Sequence, residues 1–240
     1  MHAACLKSFL RAGHKTVLHC FNVPSDVPEG IEIADAAKLL PESSLIRHKA
    51  TGSLAIFSDL LRYEILRADL GLYVDCDMFC VHPIEDEEHI FAWSSPKAIN
   101  NAVLKLPADC PALLDLCKIK EGDFIPPWFA ARQKLRLRLR QLIGYPAIPL
   151  EDLPWGSTGP KALTWYAHHH GIDRHAKHKE VFYPIDNHQV ALLFDPARTI
   201  EDLITPQTKA IHLFNEYFKR RSLDVIPVPP SSPLGRIFES

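Results

Sequence analysis

The sequence lacks both a Cys-x-x-Cys pair and a long run of apolar residues. Its six cysteines are scattered over 240 residues without a Cys-x-x-Cys pair, so we expect buried free thiols and neither disulfides nor a zinc site. No apolar run approaches the roughly 20 residues that span a bilayer. Residues 1–12 are also too short and too polar for a signal peptide. We therefore expect a cytoplasmic protein.

An excess of charge of one sign is lacking as well. The 27 Lys and Arg residues nearly balance the 29 Asp and Glu residues, for a net charge of −2, and nothing in this balance indicates a nucleic-acid partner. Hydrophobic residues make up 47% of the chain, which is enough to bury one core. We expect a single α/β domain over residues 1–226. Residues 227–240 are rich in proline and serine, which predicts an extended, mobile tail.

Residues 58–77 combine a helix, a tight turn, a strand and two carboxylates in one short stretch. Leu61, Ile65 and Ala68 recur at roughly helical spacing. Gly71 stands where a helix commonly ends in a left-handed residue, and the apolar residues 72–74 that follow are typical of a strand. We therefore predict a buried helix that leads into a buried strand through a tight turn.

Two carboxylates, Asp75 and Asp77, follow that strand and lie on the same side of an extended chain. Two anions so close together are stabilised by a divalent cation that prefers oxygen ligands, such as Mn²⁺ or Mg²⁺, which also binds substrate phosphates. Asp59 and Arg62, three residues apart on the preceding helix, can point into the same pocket. The alternative is that Asp75 and Asp77 are turn residues and that Asp59 and Arg62 form a surface ion pair.

The same stretch resembles the DXD sugar-binding-region glycosyltransferases of family 32, which include mannosyltransferases, α-1,4-galactosyltransferases and many bacterial capsule enzymes. Their signature is (S/A)DxxRYxxLxxxGGxYxDxD, and this chain matches it at Ser58, Asp59, Arg62, Tyr63, Leu66, Gly71, Tyr73, Asp75 and Asp77. Leu70 replaces the first glycine of the pair, which puts the turn in doubt. The resemblance implies an α/β fold of the GT-A type, with a Rossmann-like mixed sheet flanked by helices.

The resemblance extends to the beginning of the chain. Family members read SFLxxGHxVxLYxY and then a Pro-Gly and Asp-Ala segment, and the matching residues here are Ser8, Phe9, Leu10, Gly13, His14, Val17, Leu18, Pro28, Gly30, Asp35 and Ala36. In the family a further strand precedes this first helix. We therefore expect the chain to lack the first strand of the fold, and the reading frame upstream of Met1 to encode it.

Three further segments of the chain resemble the donor-site segments of the family. An INNA segment implies that Asn101 faces sugar hydroxyls, although a helix cap is the alternative. A GPxxxT loop with Ser157, Thr158 and Gly159 implies a sugar or acceptor pocket, and its glycines let backbone amides approach an anion. An AIHL segment implies that His212 closes on the metal or the diphosphate, and a buried core histidine is the alternative.

The segment from Pro126 to Leu142 contains a basic run with two competing periods, and we predict a helix. Its arginine stripe, Arg132 to Arg140, could rest on an anionic membrane surface and reach a lipid-linked acceptor, or it could simply be solvated. The histidines from His168 to His178 lack the cysteine or carboxylate of a metal site, and we expect no metal there. Residues 180–183 read as a strand.

Taken together, these features predict a metal-dependent hexosyltransferase that moves a sugar from a nucleotide-diphosphate donor to a glycan or lipid-linked acceptor with retention. The expected catalytic residues are Asp75, Asp77, Asp59 and Arg62; the expected ligands of Mn²⁺ (or Mg²⁺) are Asp75, Asp77 and His212. The expected donor-binding residues are Asp59, Arg62, Tyr63, Asp75, Asn101, Ser157, Thr158 and Gly159. The alternatives are an inactive sugar-nucleotide-binding relative and a phosphohydrolase, which would need further carboxylates or histidines near Asp75.

Overall fold

The computed structural model describes residues 1–120 and 124–239, and their fold is mixed α/β, as predicted. The helices are α1 (His2–Arg11), α2 (Ala55–Arg67), α3 (Pro111–Leu116), α4 (Ala131–Leu142), α5 (Pro160–His169), α6 (Asn215–Arg220) and α7 (Pro233–Glu239). The strands are β1 (Val17–Cys20), β2 (Glu32–Asp35), β3 (Tyr73–Val74), β4 (Met78–Cys80), β5 (Ile90–Ser95), β6 (Ala98–Lys105) and β7 (Ala210–His212). Short 3₁₀ segments join several of them.

The strands of the described residues form three small sheets. Strands β1 and β2 are parallel, β6 lies antiparallel between β3 and β5, and β4 pairs antiparallel with β7. The chain therefore passes from one sheet to another between β3 and β4. Asp75 and Asp77 lie in this passage, and Met78 just beyond them faces His212 in the register of β4 and β7.

Helix α2 is buried, as predicted, and it packs with α3 and α5 in the largest apolar cluster. Ile56, Tyr63 and Leu66 contribute to this cluster. The helix is followed by left-handed residues at Asp69 (φ 52°) and Gly71 (φ 104°). Leu70 between them has no positive φ, so the leucine at this position carries no backbone strain. The turn therefore tolerates the departure from the family signature.

The prediction of an extended tail after Pro227 is wrong for the residues that the structure describes. Leu234 and Ile237 of α7 are buried in a cluster with Ala4 and Cys5 of α1. Gly235 lets the residues just before α7 fold back against the helix, because a Cβ there would clash with the Pro229 carbonyl oxygen. Composition suggested a solvated segment, but two apolar side chains one helical turn apart are enough to dock a short helix.

The predicted strand at residues 180–183 is also wrong. Lys179–Val181 form a single 3₁₀ turn, and the aromatic pair that follows, Phe182 and Tyr183, is fully buried. A short apolar run does not reveal by itself whether its side chains are buried through a strand or a turn.

The six cysteines are all free thiols, and Cys5, Cys80 and Cys110 are buried.

Strands β1 and β3 each have one hydrogen-bonded neighbour within the described residues, β2 and β6 respectively. Both strands line a cavity of about 630 Å³ that is closed by Phe9 of α1 and by Leu61 and Ile65 of α2. The Nδ1 atom of His19 on β1 is buried without a hydrogen-bond partner. The edges of two sheets therefore border one cavity. The absence of a first strand from the fold stays a prediction.

Candidate functional site

A cleft of about 300 Å³ brings distant segments of the chain together. It lies among α2, β6, the passage from β3 to β4, the loop before α5, and the end of β7 with α6. The predicted site residues that line it are Asp59, Arg62, Asp75, Asp77, Asn101, Ser157, Thr158 and His212. A cleft of this volume is at the lower end of the range for small-molecule sites.

Asp59 is buried at the wall of the cleft and is fully hydrogen-bonded. One carboxylate oxygen accepts from Asn101 Nδ2 at 2.8 Å and the other from Thr158 Oγ1 at 2.7 Å. Arg62 Nη2 lies 3.4 Å away. Burial raises the pKa of Asp59, and the charge of Arg62 opposes this rise. The surface ion pair considered from the sequence is therefore excluded, because both side chains are almost inaccessible.

The Arg62 guanidinium links α2 to the first predicted metal ligand. Its Nη2 donates to Asp75 Oδ1 at 3.1 Å, and its Nη1 donates to the Asn101 carbonyl oxygen at 2.5 Å. The charged group also lies 4.6 Å from the centre of the Tyr73 ring, whose hydroxyl donates to the same Asp75 oxygen at 2.8 Å. Burial favours loss of the Arg62 charge, but Asp75, Tyr73, Asp59 and Tyr63 together outweigh this effect and raise the pKa of Arg62 above its usual value.

Asp75 and Asp77 occupy a tight turn, in which the Met78 N–H donates to the Asp75 carbonyl oxygen at 3.0 Å. The turn, and not strand alternation, brings the two side chains into one cleft. The Asn215 N–H at the start of α6 donates to Asp77 Oδ2 at 2.8 Å. His212 Nε2 lies 3.3 Å from Asp77 Oδ1. The turn interpretation of Asp75 and Asp77 and their role in a site are therefore compatible.

Asp75, Asp77 and His212 form an acidic–histidine cluster. One potential ligand atom from each lies within 4.8 Å of the others. Burial raises the pKa of Asp75, and the nearby charge of Asp77 raises it further. At Asp77 the effect of burial is overcome by His212 and the Asn215 N–H, which lower the pKa of Asp77 to about 2. Asp77 in turn raises the pKa of His212 against the effect of burial. The imidazole of His212 and the carboxylate of Asp77 therefore favour each other's charged forms.

The cluster fits a divalent cation with mixed oxygen and nitrogen ligands. The Nδ1 atom of His212 is buried and has no hydrogen-bond partner, and the ring lies 4.1 Å from that of Phe214. A buried polar atom without a partner is uncommon and costly. The two carboxylates suit Mn²⁺ or Mg²⁺, and the imidazole favours Mn²⁺ over Mg²⁺ and also admits softer metals such as Zn²⁺. The core-histidine alternative stays open, because a buried imidazole paired with Asp77 would fit it as well.

The loop before α5 packs directly against Asp59 at Gly159. A Cβ at Gly159 would lie 2.6 Å from Asp59 Oδ1 and 2.9 Å from Asn101 Nδ2, so only glycine fits here. Thr158 donates its hydroxyl to Asp59, while the Ser157 hydroxyl donates to the Pro154 carbonyl oxygen at 2.6 Å. Gly159 therefore supports the wall of the cleft and does not line it.

Tyr63 lies outside the cleft in which the sequence placed it, whereas Asn101 lines the cleft as predicted. Tyr63 does not line the cleft; it is buried, and its hydroxyl donates to the Thr158 carbonyl oxygen at 2.7 Å. It therefore anchors the loop from behind. Asn101 lies within β6 and caps no helix, so the cap alternative is wrong. Its amide serves Asp59 and also faces the cleft.

Several cleft residues escaped prediction because they lie on loops and on a short helix without a motif. Arg220 lines the cleft with its guanidinium 5.0 Å from the centre of the Trp155 ring. Tyr217 lies on the same helix, α6, and also lines the cleft. The only sequence signal was the Trp-Gly-Ser-Thr run, in which an aromatic residue stands next to a glycine loop.

The histidine-rich stretch after α5 contacts carboxylates and forms no metal cluster among the described residues. His168 Nδ1 lies 2.8 Å from Asp173, and His170 Nε2 lies 2.8 Å from Asp115. Among all the residues that the structure describes, a group of three potential metal ligands occurs only at Asp75, Asp77 and His212.

Comparisons of this chain with protein-family models, curated proteins and solved structures found no match.

Proposed function

We propose that the protein is a metal-dependent glycosyltransferase that uses a nucleotide-diphosphate sugar as donor. The observation that carries this proposal is the acidic–histidine cluster, which shares one cleft with buried Asp59 and Arg62. The cleft joins a potential cation site to amide and hydroxyl groups that suit sugar hydroxyls. The same proposal includes the GT-A fold. In that fold one more strand would lie beside β1.

The residues that would hold the cation are Asp75, Asp77 and His212. A divalent cation bound there would neutralise charge on the departing diphosphate. Arg62 and Tyr73 keep Asp75 in place through hydrogen bonds at 3.1 and 2.8 Å. Because Arg62 donates to Ser58, Asn101 and Asp75, its main role is to position the cluster.

The other cleft residues offer groups for the donor and the acceptor. Asn101 presents an amide beside Asp59, and the loop at Ser157 and Thr158 closes the same wall. Arg220, held over Trp155, supplies a positive charge on the facing side that can meet a diphosphate. In a transfer with retention, the bond from the anomeric carbon to the leaving phosphate oxygen breaks. The acceptor oxygen then bonds to that carbon on the same face, and its proton passes to the leaving diphosphate.

The test is nucleotide release from a panel of UDP-, GDP- and ADP-linked hexoses with Mn²⁺, with and without sugar and lipid-linked acceptors. A transferase releases nucleotide in a metal-dependent way and faster with the correct acceptor. Calorimetric binding of a donor without release would identify an inactive sugar-nucleotide-binding protein. Release of phosphate from simple phosphate esters would identify a phosphohydrolase. Neither binding nor release for any donor, by a cooperatively folded protein, would contradict the proposal.

A further inference from the structure

Helix α4 packs against the rest of the protein with its polar side. No residue of this 12-residue helix is buried. Its half-buried residues are Lys134, Leu137 and Gln141, which share one face at about 100° per residue. Lys134 Nζ donates to the Pro127 carbonyl oxygen at 3.0 Å. This side therefore faces the rest of the molecule.

The apolar side of α4 points away from the protein. Leu135, Leu139 and Leu142 recur at spacings of four and three, so they lie in one stripe, and they are 58%, 53% and 80% exposed. Ile143, directly after the helix, is 72% exposed. We refer to these four residues as the leucine face. A helix that packed in the usual way on a soluble protein would bury this stripe and not the opposite side.

The residues around the leucine face carry charge of one sign. The segment from Pro126 to Leu150 contains no Asp or Glu, but it contains Arg132, Lys134, Arg136, Arg138 and Arg140. At about 100° per residue, Arg132, Arg136 and Arg140 border the leucine face on one side and Arg138 borders it on the other. The arginines thus flank the apolar stripe and do not oppose it. This local excess stands out in a chain of net charge −2.

We propose that α4 docks in the plane of an anionic lipid membrane, with the leucine face among the acyl chains and the arginines at the headgroups. The charge selects this occupant, because an apolar stripe bordered by arginines matches a surface that is apolar below and anionic above. A helix of this length is marginal alone in water, so a second surface stabilises it. No helix in the described residues is long and apolar enough to cross a membrane, which is consistent with docking on the surface.

The test is co-sedimentation of the whole protein, without nucleotide, with vesicles of phosphatidylcholine alone or with about 30% phosphatidylglycerol. We expect binding to the anionic vesicles only, weakened by salt. Leu135→Ser, Leu139→Ser and Leu142→Ser combined should lower the bound fraction about tenfold. Arg132→Gln, Arg136→Gln and Arg140→Gln combined should do the same. A Leu139→Trp variant should show a blue-shifted emission with anionic vesicles relative to the parent protein.

Two matched controls keep the test specific. Lys7→Gln, Lys38→Gln and Lys97→Gln remove the same charge from exposed positions elsewhere, and Val23→Ser, Leu45→Ser and Val225→Ser remove exposed apolar side chains elsewhere. Both should bind like the parent protein. The proposal is overturned if the parent protein ignores anionic vesicles at low salt, or if the serine variant binds normally. It is also overturned if ultracentrifugation shows a dimer without lipid that the serine substitutions dissociate. Because no donor sugar is present, failure here leaves the proposed activity unaffected.

Discussion

Arg62 Nη2 lies 3.1 Å from Asp75 Oδ1, although the two residues belong to a helix and to the turn after the next strand. Arg62 is also 3.4 Å from Asp59, so one buried cation serves two carboxylates. Without this cation, the buried Asp59 carboxylate and the half-buried Asp75 carboxylate would be unfavourable. The pairing therefore fixes the turn that carries Asp75 and Asp77 against α2, and the geometry of the cluster depends on a residue that need not touch the ligand.

The first prediction concerns this shared cation. In Arg62→Met, Asp59 and Asp75 lose their cation while the volume of the side chain is roughly kept. We expect a loss of about 3–5 kcal/mol in the free energy of unfolding, the usual cost of removing one partner of a buried pair. Urea denaturation followed by circular dichroism measures it. Arg198→Met, which removes the partner of Asp195 in an exposed pair, should barely change stability, and an equal loss in both variants would contradict the role of Arg62.

The second prediction concerns Asp77. Asp77→Asn keeps the shape of the side chain and removes one charge from the cluster, so Mn²⁺ affinity and turnover should fall together by orders of magnitude. The Asn215 N–H can still donate to the amide oxygen, so the fold should survive. Calorimetric Mn²⁺ titration and nucleotide release measure the two effects, with the exposed Asp26→Asn as control. Unchanged turnover of Asp77→Asn at ordinary Mn²⁺ concentration would show that the assignment of the site is wrong.

Local patterns were sufficient to predict α2, the turn at Gly71, β3 and the two carboxylates. Each of these features depends on neighbours within a few residues, such as helical spacing and a left-handed turn. The contact from Asp77 to His212 joins residues far apart in the chain, and family resemblance, not periodicity, suggested it. Arg220 had no such signal, and Trp155 had only its position beside the glycine loop. The short helix α7 escaped because its burial depends on α1 at the other end of the chain.

The third prediction separates two roles of His212. In His212→Ala the Mn²⁺ requirement for turnover should rise, while the melting temperature should change little, because a potential ligand is lost but the main apolar clusters keep their residues. Thermal melting with and without Mn²⁺ and a metal titration of activity measure both. A large drop in melting temperature with an unchanged metal requirement would make His212 a core residue.

The fourth prediction tests the wall of the cleft. Gly159→Ala places a Cβ within 2.6 Å of Asp59 Oδ1, at a position with a negative φ of −103°. We expect a loss of stability and weaker donor binding, since the loop must move away from Asp59. In an Asp59→Ala background the same change should cost much less. Equal costs in the two backgrounds, in a double-mutant cycle by urea denaturation, would mean that the close approach to Asp59 is not what requires glycine.

The last prediction concerns the edge of β1 that has no partner strand among the described residues. The Glu32 N–H donates to the Thr16 carbonyl oxygen, so by the alternation of a parallel ladder the N–H groups of Leu18 and Cys20 point toward β2. Those of Val17 and His19 then point the other way, and both residues line the large cavity. We therefore expect fast hydrogen exchange at Val17 and His19 and slow exchange at Leu18 and Cys20, measured by NMR. The four amides share one strand, so each pair is the control for the other. Equal protection of all four would mean that the outer edge of β1 is already paired, whereas a strand that entered the cavity would slow exchange at Val17 and His19 alone.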